Sequence, residues 1–370
     1  MVEQLYHNPD IYRIYVPLPD NPLKYLNCYV LVSDGETLII DTGFNRPECK
    51  QALFDGLDEL QVDFAHTKLF LTHLHGDHSG LTEELTVRGV PVFMNAIDYD
   101  YLCQELASGG WQAMEQIFLS EGFPMEEIEK QKKGNQARLY SPHHPFPASK
   151  VSDNDLLTVG GITLRCIHTP GHTPGHTCLY IEDKEILFSG DHILFDITPN
   201  ISVWRNIPYS LADYLESLQK IKGLKISHTF PGHREFHGDI HERINALTLH
   251  HHARLKEILD AIDHHPDCTA YETAGRISWS ARGRAWEDFS PNQKWFAMGE
   301  TLAHIKRLSD RGAISSTRPL SLNTPNNTLN IPTAKTAENR YRALCHSSDL
   351  FFYSQRFSDD DFCEHITHYA

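Results

Sequence analysis

The sequence predicts an α+β fold: two β-sheets covered by helices, with a small helical region towards the C-terminus. Three features of the 370-residue chain carry this reading. The first third is dense in short β-branched and aromatic runs. Strands and helices then alternate, and beyond Pro231-Gly232-His233 the pattern turns helical.

Ile11 to Leu18, Tyr25 to Ser33 and Thr37 to Asp41 read as strands. They are separated by Pro19-Asp20-Asn21-Pro22 and by Asp34-Gly35, the latter a strong hairpin signal. Cys49 to Leu60 carries Leu53, Leu57 and Leu60 at helical spacing, and Lys68 to Leu71 is a short buried strand. Leu81 to Val87 then reads as helix and Pro91 to Met94 as extended. Asp98 to Lys133 is helix-rich, with apolar positions at Leu106, Trp111, Ile117-Phe118 and Ile128. Strand signals resume at Leu156 to Val159, Ile162 to Ile167, Cys178 to Ile181 and Glu185 to Phe188, with Gly160-Gly161 turning between the first two. Asp239 to Ile262 is one long helical pattern, followed by helices over Thr269 to Ile277 and Pro291 to Leu308, the last with Pro in its first turn. Ser315 to Thr336 is rich in Ser, Thr, Asn and Pro and reads as a linker.

Composition narrows the function. Thirty-three Lys and Arg stand against 49 Asp and Glu, a formal charge of −16, which disfavours tight binding to nucleic-acid phosphates. No run approaches the roughly 18 apolar residues of a membrane span, and the N-terminal stretch lacks a signal-peptide core. The eight cysteines include no CxxC pair, so neither a zinc knuckle nor a thioredoxin-like redox site is indicated, and a chain of this length does not read as a disulfide scaffold. The expectation is a cytoplasmic protein with free thiols.

The chemistry lies in the histidines. Thr72-His73-Leu74-His75-Gly76-Asp77-His78-Ser79-Gly80 follows a short apolar strand, and imidazoles beside a carboxylate suit borderline divalent metals. Asp77 alone could also be a helix N-cap. Thr169-Pro170-Gly171-His172-Thr173-Pro174-Gly175-His176, Ser189-Gly190-Asp191-His192 and Pro231-Gly232-His233 each follow further strands. Four strand ends, each with a Gly turn and a ligand-type side chain, can converge at one sheet edge.

In that order and spacing these motifs, together with Ile40-Asp41-Thr42-Gly43, resemble the metallo-β-lactamase superfamily over roughly residues 10 to 250. The resemblance implies an αββα sandwich over residues 1–249, with residues 98–133 as a helical cap insertion, and a site for two divalent ions. Zinc is the first expectation, with iron or manganese as alternatives. It implies His73, His75 and His172 at one metal, Asp77, His78 and His233 at the other, and Asp191 bridging. Two such ions about 3.5–4 Å apart, bridged by a carboxylate and a water, would ionise that water near pH 7. The hydroxide would attack a carbonyl or phosphorus centre, with Asp77 as the catalytic residue that orients the water or accepts its proton. Asp41 is expected to brace the metal loops. His168, His176 and His192 read as supporting groups, and His143-His144 and His250-His251-His252 as loop and surface residues.

Substrate is less constrained. No Cys stands near Asp191 and no export signal is visible, which argues against antibiotic cleavage. Residues 250–314, through Thr301 to Leu308 and Gly312-Ala313-Ile314, resemble the winged-helix-like appendage of lactamase-B-like endoribonucleases; residues 315–370 are read as linker and tail. The favoured reading is a small-molecule hydrolase of acyl esters, thioesters or lactones. Its alternatives are a metal-dependent endoribonuclease and a mononuclear iron persulfide dioxygenase. A small-molecule partner is expected and no membrane or nucleic acid, with homo-oligomerisation left open.

Overall fold

The computed structural model describes residues 1–108, 110–280, 283–318 and 338–344. Most of the expected linker and tail (319–337 and 345–370), with the Leu350–Tyr353 cluster, Cys345 and Cys363, lies outside these residues, as does Arg282.

Two sheets form the framework. Seven strands line up in chain order: β1 (Val2–Tyr6), β2 (Asp10–Pro17), β3 (Tyr25–Ser33), β4 (Glu36–Ile40), β5 (Thr67–Leu71), β6 (Val92–Asn95) and β7 (Ser149–Val151). Pairing is antiparallel through β4 and parallel from β4 to β7. The Asp34-Gly35 hairpin joins β3 and β4, with both turn residues at positive φ. The second sheet is ordered β12-β11-β10-β9-β8, from β8 (Leu156–Val159), β9 (Ile162–His168), β10 (Thr177–Ile181), β11 (Ile186–Gly190) and β12 (His228–Pro231). Only its β11–β12 pair is parallel.

The inner faces of the two sheets bury one core. Ile11, Leu31, Leu38, Ile40 and Phe70 from the first meet Leu164, Leu179, Ile181, Phe188 and Phe230 from the second. Alternation along β2, with Ile11 fully buried and Tyr12 partly exposed, is the period-2 pattern of a strand with one face inside. Tyr29 ties the sheets by its ring, 5.5 Å from Phe188, and by its hydroxyl, which donates to Pro231 O at 2.7 Å.

Helices α1 (Pro47–Glu59), α2 (Gly76–Ser79), α3 (Thr82–Thr86), α4 (Ala96–Ser108), α5 (Gly110–Ser120), α6 (Met125–Gly134), α7 (Gln136–Leu139) and α8 (Ser210–Lys222) fill the connections. The strands at Val2–Tyr6 and Ser149–Val151 and helix α8 go beyond the sequence expectation. β1 is an edge strand with little buried surface, and β7 is only three residues long. The helix expected over Leu81 to Val87 is α3, capped by Leu81 and Val87, and a further short helix, α2, precedes it.

The C-terminal region is helical: α9 (Ile240–His264), α10 (Ala270–Ala274) and α11 (Pro291–Asp310), followed by a two-stranded antiparallel pair, β13 (Ile314–Ser316) and β14 (Tyr341–Ala343). Capping boxes start two of these helices, Thr269 with Glu272 on α10 and Ser290 with Gln293 on α11. The chain divides into two compact units. One comprises Met1–Gln112, Lys132–Ile201 and Ala212–Thr248; the other comprises Ala113–Gln131, Ser202–Leu211 and Leu249–Ala370. In the second, Phe118 and Phe123 pack on Trp295 of α11, at 4.2 and 5.9 Å between ring centroids, and Phe123 on Tyr271 of α10. These insertion aromatics therefore belong to the core of the C-terminal helices, not to a core of the insertion's own.

Candidate metal centre

Each strand that carries a motif ends in the same place. β5 hands over to His73–His78, β9 to Thr169–His176, β11 to Asp191 and β12 to His233. The seven residues singled out by sequence fall into three overlapping sets: His73, His75 and His172; His73, His78 and Asp191; and Asp77, His78 and His233. Within each set the donor atoms lie within 4.8 Å of one another. Asp77 sits inside α2, whose N-cap is His75, so its carboxylate is not capping that helix.

The outward nitrogens of these rings are committed. His172 Nδ1 donates to Asn200 O at 3.0 Å, and His233 Nδ1 to Tyr25 O at 2.9 Å. His78 Nδ1 donates to Asp41 Oδ2 at 2.8 Å. His73 Nδ1 lies 3.0 Å from Thr72 Oγ1, which itself donates to Asp41 Oδ2 and so is left to accept. These partners assign the tautomers and leave the inner Nε2 atoms carrying lone pairs.

Those inner atoms crowd together. His73 Nε2 and His172 Nε2 each lie 3.0 Å from His75 Nδ1, and His78 Nε2 lies 3.2 Å from His233 Nε2. Asp191 stands between the groups, its carboxylate 3.5 Å from His78, 3.4 Å from His233 and 3.7 Å from His172. Asp191 Oδ1 is buried and takes no hydrogen bond among the described residues. Facing imidazole nitrogens and a buried carboxylate oxygen without a hydrogen bond are tolerable only with positive charge, a proton or a cation, among them. The donor set, five imidazoles and two carboxylates, suits divalent zinc, iron or manganese.

The titration of these groups agrees. Burial, reinforced by neighbouring rings, pushes His73 well below the ordinary imidazole value, His75 to about 3 and His172 downwards, so this trio is neutral and ready to donate. Burial opposes charge on His78 and His233 too, but Asp191, Asp41 and Asp77 outweigh it. His78 is drawn well above its usual range and His233 to about 9. Burial likewise works against charge on Asp77 and Asp191, yet the facing histidines hold Asp77 at about 2 and Asp191 well below the usual carboxylate range. The pocket is a negative well that gathers protons until a cation replaces them.

Supporting residues hold the loops. Asp41 accepts from Thr72 N, Thr72 Oγ1 and His78 Nδ1, each at 2.8 Å, which is the bracing role its position suggested. His176 Nε2 accepts from the backbone N–H of Asp191 at 3.1 Å while Nδ1 meets Thr169 Oγ1 at 2.8 Å; it therefore orients Asp191 and joins none of the three sets. His168 Nε2 donates to Pro174 O, and His192 is buried edge-on against Tyr214. The backbone N–H groups of His143 and His144 both donate to Glu83. His251 is buried against His304, while its neighbours His250 and His252 are partly exposed. Two residues escaped sequence reasoning. Asn27 fixes the loop before and after His233 by donating to Pro231 O and Arg234 O. Asp98, in the first turn of α4, accepts from Leu74 N, Thr173 Oγ1 and Gly175 N. Sequence offered only an acidic residue at a helix start, which the helix dipole alone explains.

Comparison with known proteins decides the family. Residues 22–233 match the model of the metallo-beta-lactamase superfamily. The chain belongs to that superfamily. It is an enzyme of the superfamily's metal-dependent hydrolase class. It is 25% identical over 265 residues to a beta-lactamase-like protein 2 homolog of Caenorhabditis elegans, a match covering 70% of this chain and 74% of that one. It is 26% identical over 266 residues to an atrochrysone carboxyl ACP thioesterase of a Cryptosporiopsis species, covering 71% of this chain and 65% of the relative. A crystal structure of a metallo-beta-lactamase family protein from Thermus thermophilus aligns with a TM-score of 0.72 at 29% identity, covering 90% of this chain and 98% of that one. A beta-lactamase domain protein from Burkholderia ambifaria aligns at 0.76, with 24% identity and 92% and 94% coverage. Both alignments run well past the family-model region, so the superfamily sandwich occurs elsewhere with comparable extra chain.

Proposed function

We propose that this hydrolase cleaves an acyl thioester using two divalent ions, zinc first among them. The observation that carries the proposal is the convergence of two donor trios on one shared carboxylate, Asp191. The thioester is favoured over an ester or lactone because several relatives are named as carboxyl ACP thioesterases. His73, His75 and His172 would hold one ion, Asp77, His78 and His233 the other, and Asp191 both. Bound there, the ions supply Lewis acidity and a water acidic enough to ionise near neutral pH.

The chain's own groups do the rest. Asp77, held ionised, can accept a hydrogen bond from the attacking water and pass its proton to the departing thiolate, giving acid and thiol. Thr72, Asp41, Asn200 and the Tyr25 carbonyl keep four of the five imidazoles, those of His73, His78, His172 and His233, turned inward, so much of the site is organised before substrate arrives. The −16 charge supports a small-molecule substrate over nucleic acid. Cys28, Cys49, Cys103, Cys166, Cys178 and Cys268 are free thiols, which supports a reducing, cytoplasmic setting. No helix among the described residues is long and apolar enough to cross a membrane.

A panel of acyl-CoA and aromatic acyl-N-acetylcysteamine thioesters, lactones and simple esters, beside labelled single-stranded RNA, tests the reading. Thioester cleavage is expected, falling at least about 100-fold in His73→Ala and in Asp191→Ala, with metal content falling in both. Cleavage of RNA alone would select the endoribonuclease. One iron per chain with no acyl hydrolysis would select the persulfide dioxygenase.

A further inference from the structure

Two buried carboxylates brace the donor loops. Asp41 serves His78 directly and, through Thr72 Oγ1, reaches His73 Nδ1, so it touches both trios. Asp98 contacts only the loops that carry His73, His75 and His172. Its side chain is fully buried on α4, and both of its oxygens are used. Oδ2 accepts from Leu74 N at 3.0 Å and from Thr173 Oγ1 at 2.6 Å, while Oδ1 accepts from Gly175 N at 2.5 Å. Leu74 lies between His73 and His75, and Thr173 follows His172. One carboxylate thus ties the loop bearing two of the three imidazoles to the loop bearing the third. The approach is so close that a Cβ on Gly175 would lie 2.5 Å from Asp98 N and 2.8 Å from Asp98 Cβ.

We infer that Asp98 is a positioning residue that sets the metal affinity of the His73, His75 and His172 trio independently of the Asp77, His78 and His233 trio. This rests on the two-ion reading above. The geometry explains why a shorter or neutral group fails. An Asn at 98 must direct its Nδ2 either at Gly175 N–H or at Leu74 N–H, setting donor against donor in both orientations. The clamp on one loop opens, and the three inner nitrogens no longer converge.

The test is titration of the chelator-stripped full-length chain with zinc ion alone, read by metal analysis and by the visible spectrum of the cobalt(II)-substituted protein. Wild type is expected to bind two ions. Asp98→Asn should weaken one site about 10- to 100-fold, the range for residues that orient metal ligands. The other site should keep its affinity. Asp41→Asn, which loosens both His78 and Thr72 beside His73, should weaken both sites, so the two variants alter the cobalt bands differently. Thr173→Ala, which removes one of the three hydrogen bonds, should weaken the same site as Asp98→Asn by a smaller factor; it decides the matter if Asp98→Asn does not fold. Equal loss at both sites, or no loss at either, in folded Asp98→Asn or Thr173→Ala overturns the inference while leaving the two-ion reading intact. A wild-type chain that binds fewer than two ions overturns both.

Discussion

Asp41→Asn is the sharpest probe of how the second trio is organised. Asp41 is 2% exposed and sits at φ +62°, a left-handed conformation that Asn tolerates as well as Asp, so the backbone is not perturbed. Its carboxylate accepts three hydrogen bonds at 2.8 Å, from Thr72 N on Oδ1 and from Thr72 Oγ1 and His78 Nδ1 on Oδ2. An Asn with Nδ2 in the Oδ1 place faces the Thr72 N–H, leaving a buried donor unsatisfied at about 1–3 kcal/mol. With Nδ2 in the Oδ2 place it donates to His78 Nδ1, moving that ring's proton to Nε2, the atom that faces His233 and Asp191. Weakening of the remaining charge-assisted bonds adds about 1 kcal/mol each. The sum is about 3–5 kcal/mol, which in a unit of this size lowers Tm by about 6–20 °C. Zinc affinity at the trio containing His78 should fall about 10- to 100-fold. Differential scanning fluorimetry with and without zinc, together with a competitive zinc titration, reads both numbers. A variant with wild-type Tm and wild-type zinc affinity at both sites would refute the tautomer argument.

Further outcomes follow from the same structure. Gly232→Ala should deplete metal and activity, because its Cβ would lie 2.5 Å from Asp191 Oδ1 and 3.0 Å from His78 Cε1; a fully metallated, active variant counts against the placement of Asp191. Burial pushes Glu121 up to about 7, although Tyr341 and Asn339 donate to it. Its folded value exceeds the unfolded one, so its contribution is intact below about pH 4.5 and is lost as pH rises towards 7, by up to about 3 kcal/mol. Glu121→Gln removes the ionisable group while its Oε1 still accepts from Asn339 Nδ2, and should raise Tm at pH 8 but not at pH 4.5; equal shifts at both would show that ionisation is not the cause. Burial pushes His304 down to about 4 and His251 well below the ordinary imidazole value, so both are neutral in the fold. Their contribution is complete above pH 6.5 and is lost as pH falls towards 4, so urea midpoints of the C-terminal helices should drop across that window. A midpoint unchanged from pH 7 to 4.5 in wild type would contradict this. Phe188→Ala, in the core between the sheets, should cost about 3–5 kcal/mol by denaturant titration, and a cost under 1 kcal/mol would place that ring outside the core.

The two sheets were legible because their strands carry the period and punctuation of strands, as β2, Asp34-Gly35 and Gly160-Gly161 do. What escaped was short or weakly patterned. β7 has three residues and a single buried side chain, so no alternation can develop. Helix α8 buries Leu211, Tyr214, Leu218 and Ile221 at helical spacing, yet its segment follows directly on Asn206 and Pro208, which read as loop signals. The aromatics of the insertion were visible as apolar positions. Their partners Trp295 and Tyr271 lie more than 140 residues away, beyond any local pattern.

The candidate site was legible for a different reason. His75, His172 and His233 stand beside glycines at strand ends, with His73 two residues before His75, and a side chain presented there leaves a local mark in the sequence because the chain must turn to present it. The residues that brace these side chains leave no such mark. Asp98 looks like any acidic residue in a helix's first turn, and Asn27 like a polar residue inside a strand; each acts on a loop 24 to 207 residues distant. The same asymmetry applies to catalysis. Ligand identity limits which ions can bind and what they can activate, but the tautomer and spacing of each imidazole are set by acceptors such as Asp41, Asn200 O and Tyr25 O. Two chains with identical ligand motifs can therefore differ in metal preference and rate through these distant acceptors alone.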